Sequence, residues 1–329
     1  MKKSFLMLGV AAMALASCTQ NEVVEYAENR AIQFDTFVNN NTRAVTEVTG
    51  LTNFYVFGEF GSDTNYGQTV YANELNTTTH YWVASKYYSF GAYADGEGGK
   101  IDNATFDADK KTLTFPSYTP VDTKDLVVAT AVHTTDGTVT DESPVALIFN
   151  HMLSQVKFTF KTTDADAYTL KISNLKINGA VTTATGTYTD GTIDWTTSPS
   201  SGAYSYADIA DVAVATNNYT ASDVKLVIPQ ANTNTLTVTF EATISGPDFA
   251  ERSSTFTATL DYTAGEVTGT ADNTWTPGFI YNYIATINGD QIDEDLQDQK
   301  IEFTTKVTPW QNAADTTHDG LVGTPVPGE

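Results

Sequence analysis

The feature that most constrains the fold of this chain is a period of two in its apolar residues. In one such run Val156, Phe158 and Phe160 alternate with lysine and threonine, and residues 236–240 and 256–260 repeat the pattern. Successive side chains of a β-strand point to opposite faces, so each run predicts a strand with one dry and one wet face. Strands of this kind favour a two-layer sandwich.

Short apolar runs of the same kind recur along the chain, separated by clusters of Gly, Asn and Asp. Long helical patterns are nearly absent, and we predict one short helix at residues 208–215. The sequence therefore predicts an all-β protein with little helix. Further predicted strands are residues 54–57, 87–93, 112–115, 126–131, 147–149, 170–177, 224–228, 280–287 and 301–307.

Chain length predicts two domains. The 329 residues include 41% hydrophobic residues, with 17 Tyr and 17 Phe, and they exceed the roughly 250 to 300 residues at which a single core stops growing. The cleanest break in the pattern is at residues 141–144, and we place the boundary near residue 150. The predicted domains are residues 18–150 and 151–310, followed by a flexible polar tail at 311–329.

Charge and motif content exclude several functions. The formal net charge is −23, which disfavours nucleic acid as a partner. The four histidines lack metal-ligand spacing, and the acidic residues 290–298 lack the Gly and the closing Glu of a calcium loop. No nucleophile elbow, phosphate loop or dinucleotide fingerprint occurs. We expect no enzyme activity, no metal and no cofactor, and a hydrolase ranks last among the alternatives.

The first 17 residues predict a secretory signal peptide. Lys2 and Lys3 precede an apolar core of about 11 residues, well short of the roughly 20 that span a bilayer. Residues 15–18, Leu-Ala-Ser-Cys, resemble the lipobox of bacterial lipoproteins, in which the cysteine carries a diacylglycerol. The resemblance implies that Cys18, the one cysteine of the chain, is acylated with chains such as palmitate and holds the protein on a membrane. The alternative is a buried or incidental cysteine.

Several short segments, in their order along the chain, resemble the fimbrillin family of Bacteroidales, the lipoprotein precursors of type V pili. The resemblance implies two tandem transthyretin-like β-sandwich domains and a lipid-anchored subunit exposed on the cell outer membrane. It also implies that subunits assemble by strand exchange into a fimbria that acts in adhesion. The segments are residues 31–34 leading to 41–44, 149–156, 277–283, and 301–303 running to Val307 and Trp310.

The same resemblance implies a processing step near the N-terminus. In the family a trypsin-like protease cuts after a basic residue, an N-terminal strand is lost, and a strand from another subunit fills the groove. Arg43 follows a polar loop signal at residues 39–42, so the predicted cut lies between Arg43 and Ala44. The alternative is that Arg43 is an uncut loop residue. The removable strand would lie near residues 31–38, with Ile32, Phe34 and Val38 on its apolar face.

The candidate donor strand is near the C-terminus. Ile301, Phe303 and Val307 alternate with polar residues, and the alternative is an ordinary edge strand of the second domain. Two features argue against a donor role, namely the 19 residues after Trp310 and the missing backbone donor of Pro309.

An aromatic cluster suggests a second function. Trp82, Tyr87 and Tyr88 would stack on a sugar ring if they were exposed, and the chain would then be a monomeric surface module that binds a glycan or host ligand. The default interpretation is that these rings pack in a core or on a sheet face, as aromatic residues of strands commonly do.

Overall fold

In the computed structural model of the chain, the described residues are 30–38, 46–47, 51–63, 65–96, 99–139, 142–162, 168–196, 201–212, 219–231, 236–260, 270, 273–292 and 301–310. They form twenty strands and a 3-10 turn at Gly289–Ile292. The strands are β1 Phe34–Val38, β2 Thr46–Glu47, β3 Tyr55–Ser62, β4 Asn65–Leu75, β5 Tyr87–Asp95, β6 Thr105–Asp107, β7 Thr112–Tyr118, β8 Leu126–Thr134, β9 Val145–His151, β10 Ser154–Lys161, β11 Thr169–Val181, β12 Ala184–Thr189, β13 Thr192–Thr196, β14 Ser201–Ser205, β15 Tyr219–Ala221, β16 Lys225–Val227, β17 Thr237–Gly246, β18 Phe249–Thr259, β19 Phe279–Thr286 and β20 Thr304–Pro309.

The all-β prediction is confirmed. Strands such as β9 and β11 alternate buried and exposed residues along their length, as their apolar periodicity predicts. The predicted helix at residues 208–215 is wrong in its described part, because residues 208–212 are not helical. Within the described residues, no helix has the length and hydropathy needed to cross a membrane.

The first half of the chain builds a seven-stranded sheet in the order β2-β1-β9-β8-β5-β3-β4. β1 and β9 run parallel, whereas the other neighbours are antiparallel. β8 and β9 pair at only two positions, Val127 with His151 and Val128 with Asn150. Phe34 of β1 nevertheless contacts Phe90 of β5, and both Phe34 and Phe149 of β9 contact Phe54, the residue directly before β3, across one core. The β1–β9 pair therefore covers the apolar face of β5 and β3.

The second half of the chain forms two sheets that enclose a separate core. One has the order β15-β10-β19-β20, with β16 also paired to β10, and the other has the order β14-β11-β17-β18. Phe158 and Phe160 of β10 face Phe240 of β17 and Tyr283 of β19 in this core. Here too the first strand, β10, runs parallel to a late strand, β19. The two halves thus share one topological feature, a parallel pairing of an early with a late strand.

A fourth sheet joins the two halves. β7 of the first half pairs with β12 of the second in the order β13-β12-β7-β6. A third core at this junction contains Leu126, Met152, Leu153, Tyr188 and Trp310. Met152 and Leu153 also separate β9 from β10, so the predicted boundary falls at a change of sheet. The independence of the two predicted domains stays a prediction, since the junction sheet takes strands from both.

Candidate functional site

The candidate site is β1 together with the groove that it fills. Residues 34–38 pair in register with β9, from Phe34 opposite Val145 to Val38 opposite Phe149. On the other side only Phe37 and Val38 meet β2. Among the described residues, the rest of that edge of β1 has no strand partner. Removal of β1 would therefore disrupt one full ladder and two positions of another.

The residues before β1 are held by a second segment. The Ile32 N–H donates to the carbonyl of His80 at 2.8 Å, and the Trp82 N–H donates to the carbonyl of Arg30 at 2.9 Å. On the opposite side, the Val145 N–H donates to the carbonyl of Gln33 at 2.8 Å. The whole segment 30–38 is thus bonded through its backbone to the body of the protein.

The core-facing side chains of β1 fill an aromatic groove. Ile32 and Val38 are buried, and the ring of Phe34 meets three other rings edge-on. Its centroid lies 5.9 Å from that of Phe54, 5.7 Å from Tyr71 and 5.6 Å from Phe90. Edge-to-face contacts at these distances place the positive edge of one ring against the negative face of another. Phe34 is therefore the side chain that fits the groove most specifically.

The walls of the groove depend on β1 for their burial. Phe54, Tyr71, Phe90 and Phe149 are almost completely inaccessible to solvent while β1 is in place. Burial of a side chain the size of Ile, Phe or Val stabilises the folded state by about 1.5 to 3 kcal/mol. Loss of β1 would expose this apolar surface and also the unpaired backbone groups of β9, a combination that recruits another strand.

The polar groups around the groove have structural partners. His80 Nε2 lies 2.8 Å from Glu74 Oε2, and the His80 ring packs edge-on against Tyr71 at 4.3 Å. The Tyr71 hydroxyl donates to the carbonyl of Thr78, and burial, with the nearby Glu74 carboxylate, raises the pKa of Tyr71. No group of metal-ligating side chains occurs in the part of the chain that the structure describes. The polar side chains beside the groove thus bond to one another and to the backbone.

Comparison with known proteins identifies the family. A family model described as fimbrillin-like matches residues 26–310. The chain belongs to the fimbrillin-like family. No curated protein sequence matches it.

Solved structures show the fold of this fimbrillin-like protein. A fimbrial protein from Bacteroides vulgatus is 20% identical, with a TM-score of 0.55, and the match covers 86% of this chain and 100% of that one. A putative cell adhesion protein from Bacteroides ovatus is 14% identical over 86% and 99% of the two chains, with a TM-score of 0.49. One from Bacteroides uniformis is 16% identical over 85% and 98%, with a TM-score of 0.44. At 20% identity the first likeness shows a shared fold.

The structure brings together only some of the predicted site residues. Ile32, Phe34 and Val38 lie on one face of the fimbrillin-like chain's first strand, over the groove. Cys18, Arg43 and Ala44 lie outside the described residues, so lipid attachment and cleavage stay predictions.

The predicted ligand-stacking residues do not form one surface. Trp82 is 1% exposed and Tyr88 is 0% exposed, whereas Tyr87 is 39% exposed. The Trp82 ring is enclosed by Tyr88 at 4.7 Å and by a stacked His133 at 4.4 Å. The stacking hypothesis is therefore wrong for Trp82 and Tyr88, because both rings fill the core of the first half.

The predicted donor run occupies the edge of its own sheet. β20 begins at Thr304, three residues after the start of the predicted run, and pairs antiparallel with β19. Ile301 and Val307 are buried, and Phe303 packs on the second core. The run is an edge strand of its own chain here, and its donor role stays a prediction.

Sequence reasoning missed the residues that form the groove. Phe54 and Phe90 were placed on predicted strands, but nothing in the sequence paired them with Phe34. Tyr71 lies in β4, a largely polar strand whose buried positions start only after Val70. Burial alternates along Tyr71, Ala72 and Asn73, but residue polarity does not, so no periodic signal in the sequence marks Tyr71.

Proposed function

We propose that this fimbrillin-like chain is a cell-surface lipoprotein that serves as a fimbrial subunit and acts in adhesion. In this proposal β1 is removed and a strand from another subunit takes its place. One observation carries the proposal: among the described strands only β9 pairs with β1 along its whole length, while the side chains of β1 fill an aromatic groove. A strand placed in this way is separable from the fold and leaves a binding site behind.

Membership of the family supports a structural role at the cell surface. The proposed route begins with residues 1–17 as the export signal and Cys18 as the acylated residue that holds the precursor on the outer membrane. Metabolic labelling with an alkyne analogue of palmitate tests this step. The label should appear on the wild-type chain and be absent from a Cys18→Ala variant, and equal labelling of both would exclude the anchor.

The proposed trigger is a cut between Arg43 and Ala44 by a trypsin-like protease. After the cut β1 is held only by noncovalent contacts, namely its ladder with β9 and the burial of Ile32, Phe34 and Val38. A competing strand that supplies equivalent hydrogen bonds and side chains can then replace it. The groove thus becomes available only after proteolysis.

Limited proteolysis of the purified precursor tests the trigger and the assembly together. We expect trypsin to release a peptide containing residues 32–38 and the body of the protein to form polymers, measured by mass spectrometry and electron microscopy. An Arg43→Gln variant should keep residues 32–38 covalently joined to the body and stay monomeric, and Arg252→Gln, which changes another of the three arginines, should behave as wild type. Monomers that retain the peptide after cleavage at Arg43 would contradict the proposal.

A further inference from the structure

The face of the seven-stranded sheet that points away from the first core is covered only in part. Near the second half it packs in the third core through Tyr93. Further along β5, Ser89 is still buried, and its hydroxyl donates to the carbonyl of Ala108, between β6 and β7, at 2.9 Å. Beyond Ser89 the cover ends, since Tyr87 is 39% exposed and Val132, which pairs with Ser89, is 57% exposed.

Two tyrosines at this open end lie on either side of a glycine. Gly61 of β3 pairs with Tyr66 of β4 on one side and with Tyr87 of β5 on the other. Paired residues point to the same face, and neighbouring strands are about 4.8 Å apart, so the backbones of the two tyrosines lie about 10 Å from each other. Gly61 places no side chain between them, and a Cβ there would collide with the carbonyl oxygen of Asn65. The glycine is thus required, and the gap between the tyrosines is part of the fold.

Apolar and polar side chains border the gap. Val132 lies diagonal to Tyr87 on the same face, because Tyr87 pairs with Thr134, two residues further along β8. Glu59 precedes Gly61 by two residues in β3 and pairs with Thr69 of β4. We call this surface the distal shelf, and its residues are Glu59, Tyr66, Thr69, Tyr87, Val132 and Thr134.

The polar groups of the distal shelf include donors and acceptors. Partial burial, together with the nearby carboxylate of Asp109, raises the pKa of Tyr66, so its hydroxyl keeps its proton at neutral pH. The Glu59 carboxylate is an acceptor, and the hydroxyls of Thr69 and Thr134 serve as both. A ligand on the shelf would therefore meet an aromatic surface with hydrogen-bonding groups at its rim.

The size of the distal shelf argues against a folded protein as its partner. Stable protein interfaces bury about 800 Å² on each partner. The shelf spans about two strand spacings by two residues of strand, or roughly 10 by 7 Å, and the turn between β6 and β7 bounds it on one side. An area of this size accommodates one or two rings of a small ligand.

Charge and polarity narrow the ligand further. The chain has a formal net charge of −23, and Glu59 and Asp109 place carboxylates on the shelf and at its edge, so an anionic ligand would be repelled. A purely apolar ligand would cover the polar groups of Glu59 and Tyr66 without bonding them, which costs free energy. An uncharged sugar ring meets both conditions, because it has an apolar C–H face and hydroxyls at its rim that donate and accept.

We propose that the distal shelf binds an uncharged saccharide, with one sugar ring packed on Tyr87 and Val132 and its hydroxyls bonded to Glu59 and Tyr66. This inference rests on the adhesive role proposed above and adds to it a ligand class and a site. It does not depend on strand exchange, because the shelf lies on the opposite face of the sheet from β1 and its groove.

An array of uncharged, sialylated and sulfated glycans tests the ligand class. The probe is the fluorescently labelled full-length chain, uncut and monomeric. We expect binding to uncharged glycans, with a Kd in the millimolar range or tighter for the best of them in calorimetric titration, and no binding to the sialylated or sulfated ones. Absence of binding to every uncharged glycan, or a preference for the anionic ones, would overturn the inference.

Two substitutions on neighbouring strands test the site. Tyr87→Ala removes the stacking ring, and Val132→Asp places a charge beside it, so each should weaken binding of the best uncharged glycan at least about tenfold. Both side chains are exposed, and circular dichroism should show that both variants fold. Tyr81→Ala is the matched control, because Tyr81 is 49% exposed but lies beside Ala31, in the layer of β1. Its affinity should equal that of the wild type.

Glycan binding that survives both Tyr87→Ala and Val132→Asp, or that is lost in Tyr81→Ala, would show that the sugar binds elsewhere and would overturn the site. If no uncharged glycan binds while trypsin-cut chains polymerise, the shelf fails and the fimbrial role stands. If an uncharged glycan binds through Tyr87 while cut chains stay monomeric, the shelf stands and the fimbrial assembly fails. The two failures are therefore distinguishable.

Discussion

The imidazole of His151 stacks on the indole of Trp310, with ring centroids 4.2 Å apart and an interplanar angle of 13°. His151 ends β9 and Trp310 directly follows β20, so the stack joins the two halves of the chain. His151 Nδ1 also lies 2.8 Å from Asp125 Oδ2. The backbone N–H of Trp310 donates to the carbonyl of Gly278. The C-terminal strand is thus anchored in the core of the junction.

Replacement of Trp310 by Ala should release this anchor. The indole is buried, and its removal should lower the free energy of unfolding by about 3 to 5 kcal/mol. Amide hydrogen exchange should accelerate in residues 304–309, measured by mass spectrometry. Trp310→Phe keeps an aromatic ring against His151 and should show a smaller effect in both measurements. Unchanged exchange in the Ala variant would mean that β20 is held by its ladder with β19 alone.

Phe34→Ala should destabilise the first half of the protein, because it removes the ring that fills the groove. The variant loses the edge-on contacts with Phe54, Tyr71 and Phe90, and we expect a loss of about 2 to 4 kcal/mol in urea unfolding. Phe37→Ala is the matched control, because it removes the same ring from the opposite face of the same strand. It should cost less than about 1 kcal/mol, as expected away from a core. Equal losses would show that β1 is held by its backbone rather than by the groove.

Alternation of apolar residues was enough to predict most of the strands, including residues 32–38. In a half-buried strand the residues facing the core are apolar and those facing solvent are polar, so the two types alternate along the sequence. It could not assign the faces where both are covered. Residues 87–93 were predicted as a strand, but in β5 Tyr88 and Phe90 face the first core and Tyr93 faces the junction core, so no alternation remains. The sequence cannot show which aromatic residues a second layer will cover, and for this reason it left both core packing and ligand stacking open for Trp82.

Pairings between distant strands were also beyond the sequence. β7 and β12 join across about 70 residues of chain, and local patterns carry no information about which strands meet.

Gly91→Ala should disturb the contact between the seven-stranded sheet and the junction sheet. A Cβ at this position would lie 2.5 Å from the ring of Phe106 and 3.0 Å from a methyl group of Leu113. Overpacking of this kind costs about 1 to 3 kcal/mol. Gly67→Ala is the control, since a Cβ there meets no atom within 4 Å, and its effect should stay within about 0.5 kcal/mol. Thermal unfolding of both variants measures the difference, and equal midpoints would contradict the prediction.

Asp95 is a buried carboxylate at the same junction. It accepts a hydrogen bond from the Tyr118 hydroxyl at 2.9 Å, and Lys124 Nζ lies 3.8 Å from its other oxygen. Burial nevertheless raises the pKa of Asp95 above its ordinary value, because desolvation of the charged form outweighs both partners. The pKa of the exposed Asp107 shifts in the opposite direction, because its hydrogen bonds with Lys110 stabilise the charged carboxylate and lower its pKa.

These two carboxylates should give opposite pH dependences. A raised native pKa means that the unfolded chain releases the Asp95 proton first, so ionisation of Asp95 costs stability as pH rises above about 4, the pKa of the unfolded carboxyl, through the raised native pKa. Asp95→Asn removes that cost, and its stability relative to wild type should increase over this range in urea unfolding. Asp107→Asn loses a carboxylate that is stabilised when charged, so its stability relative to wild type should decrease as pH rises toward about 4, the pKa of the unfolded carboxyl, and stay level above that. If Asp95→Asn instead declined with rising pH, the charged form of Asp95 would be the one that Tyr118 and Lys124 stabilise.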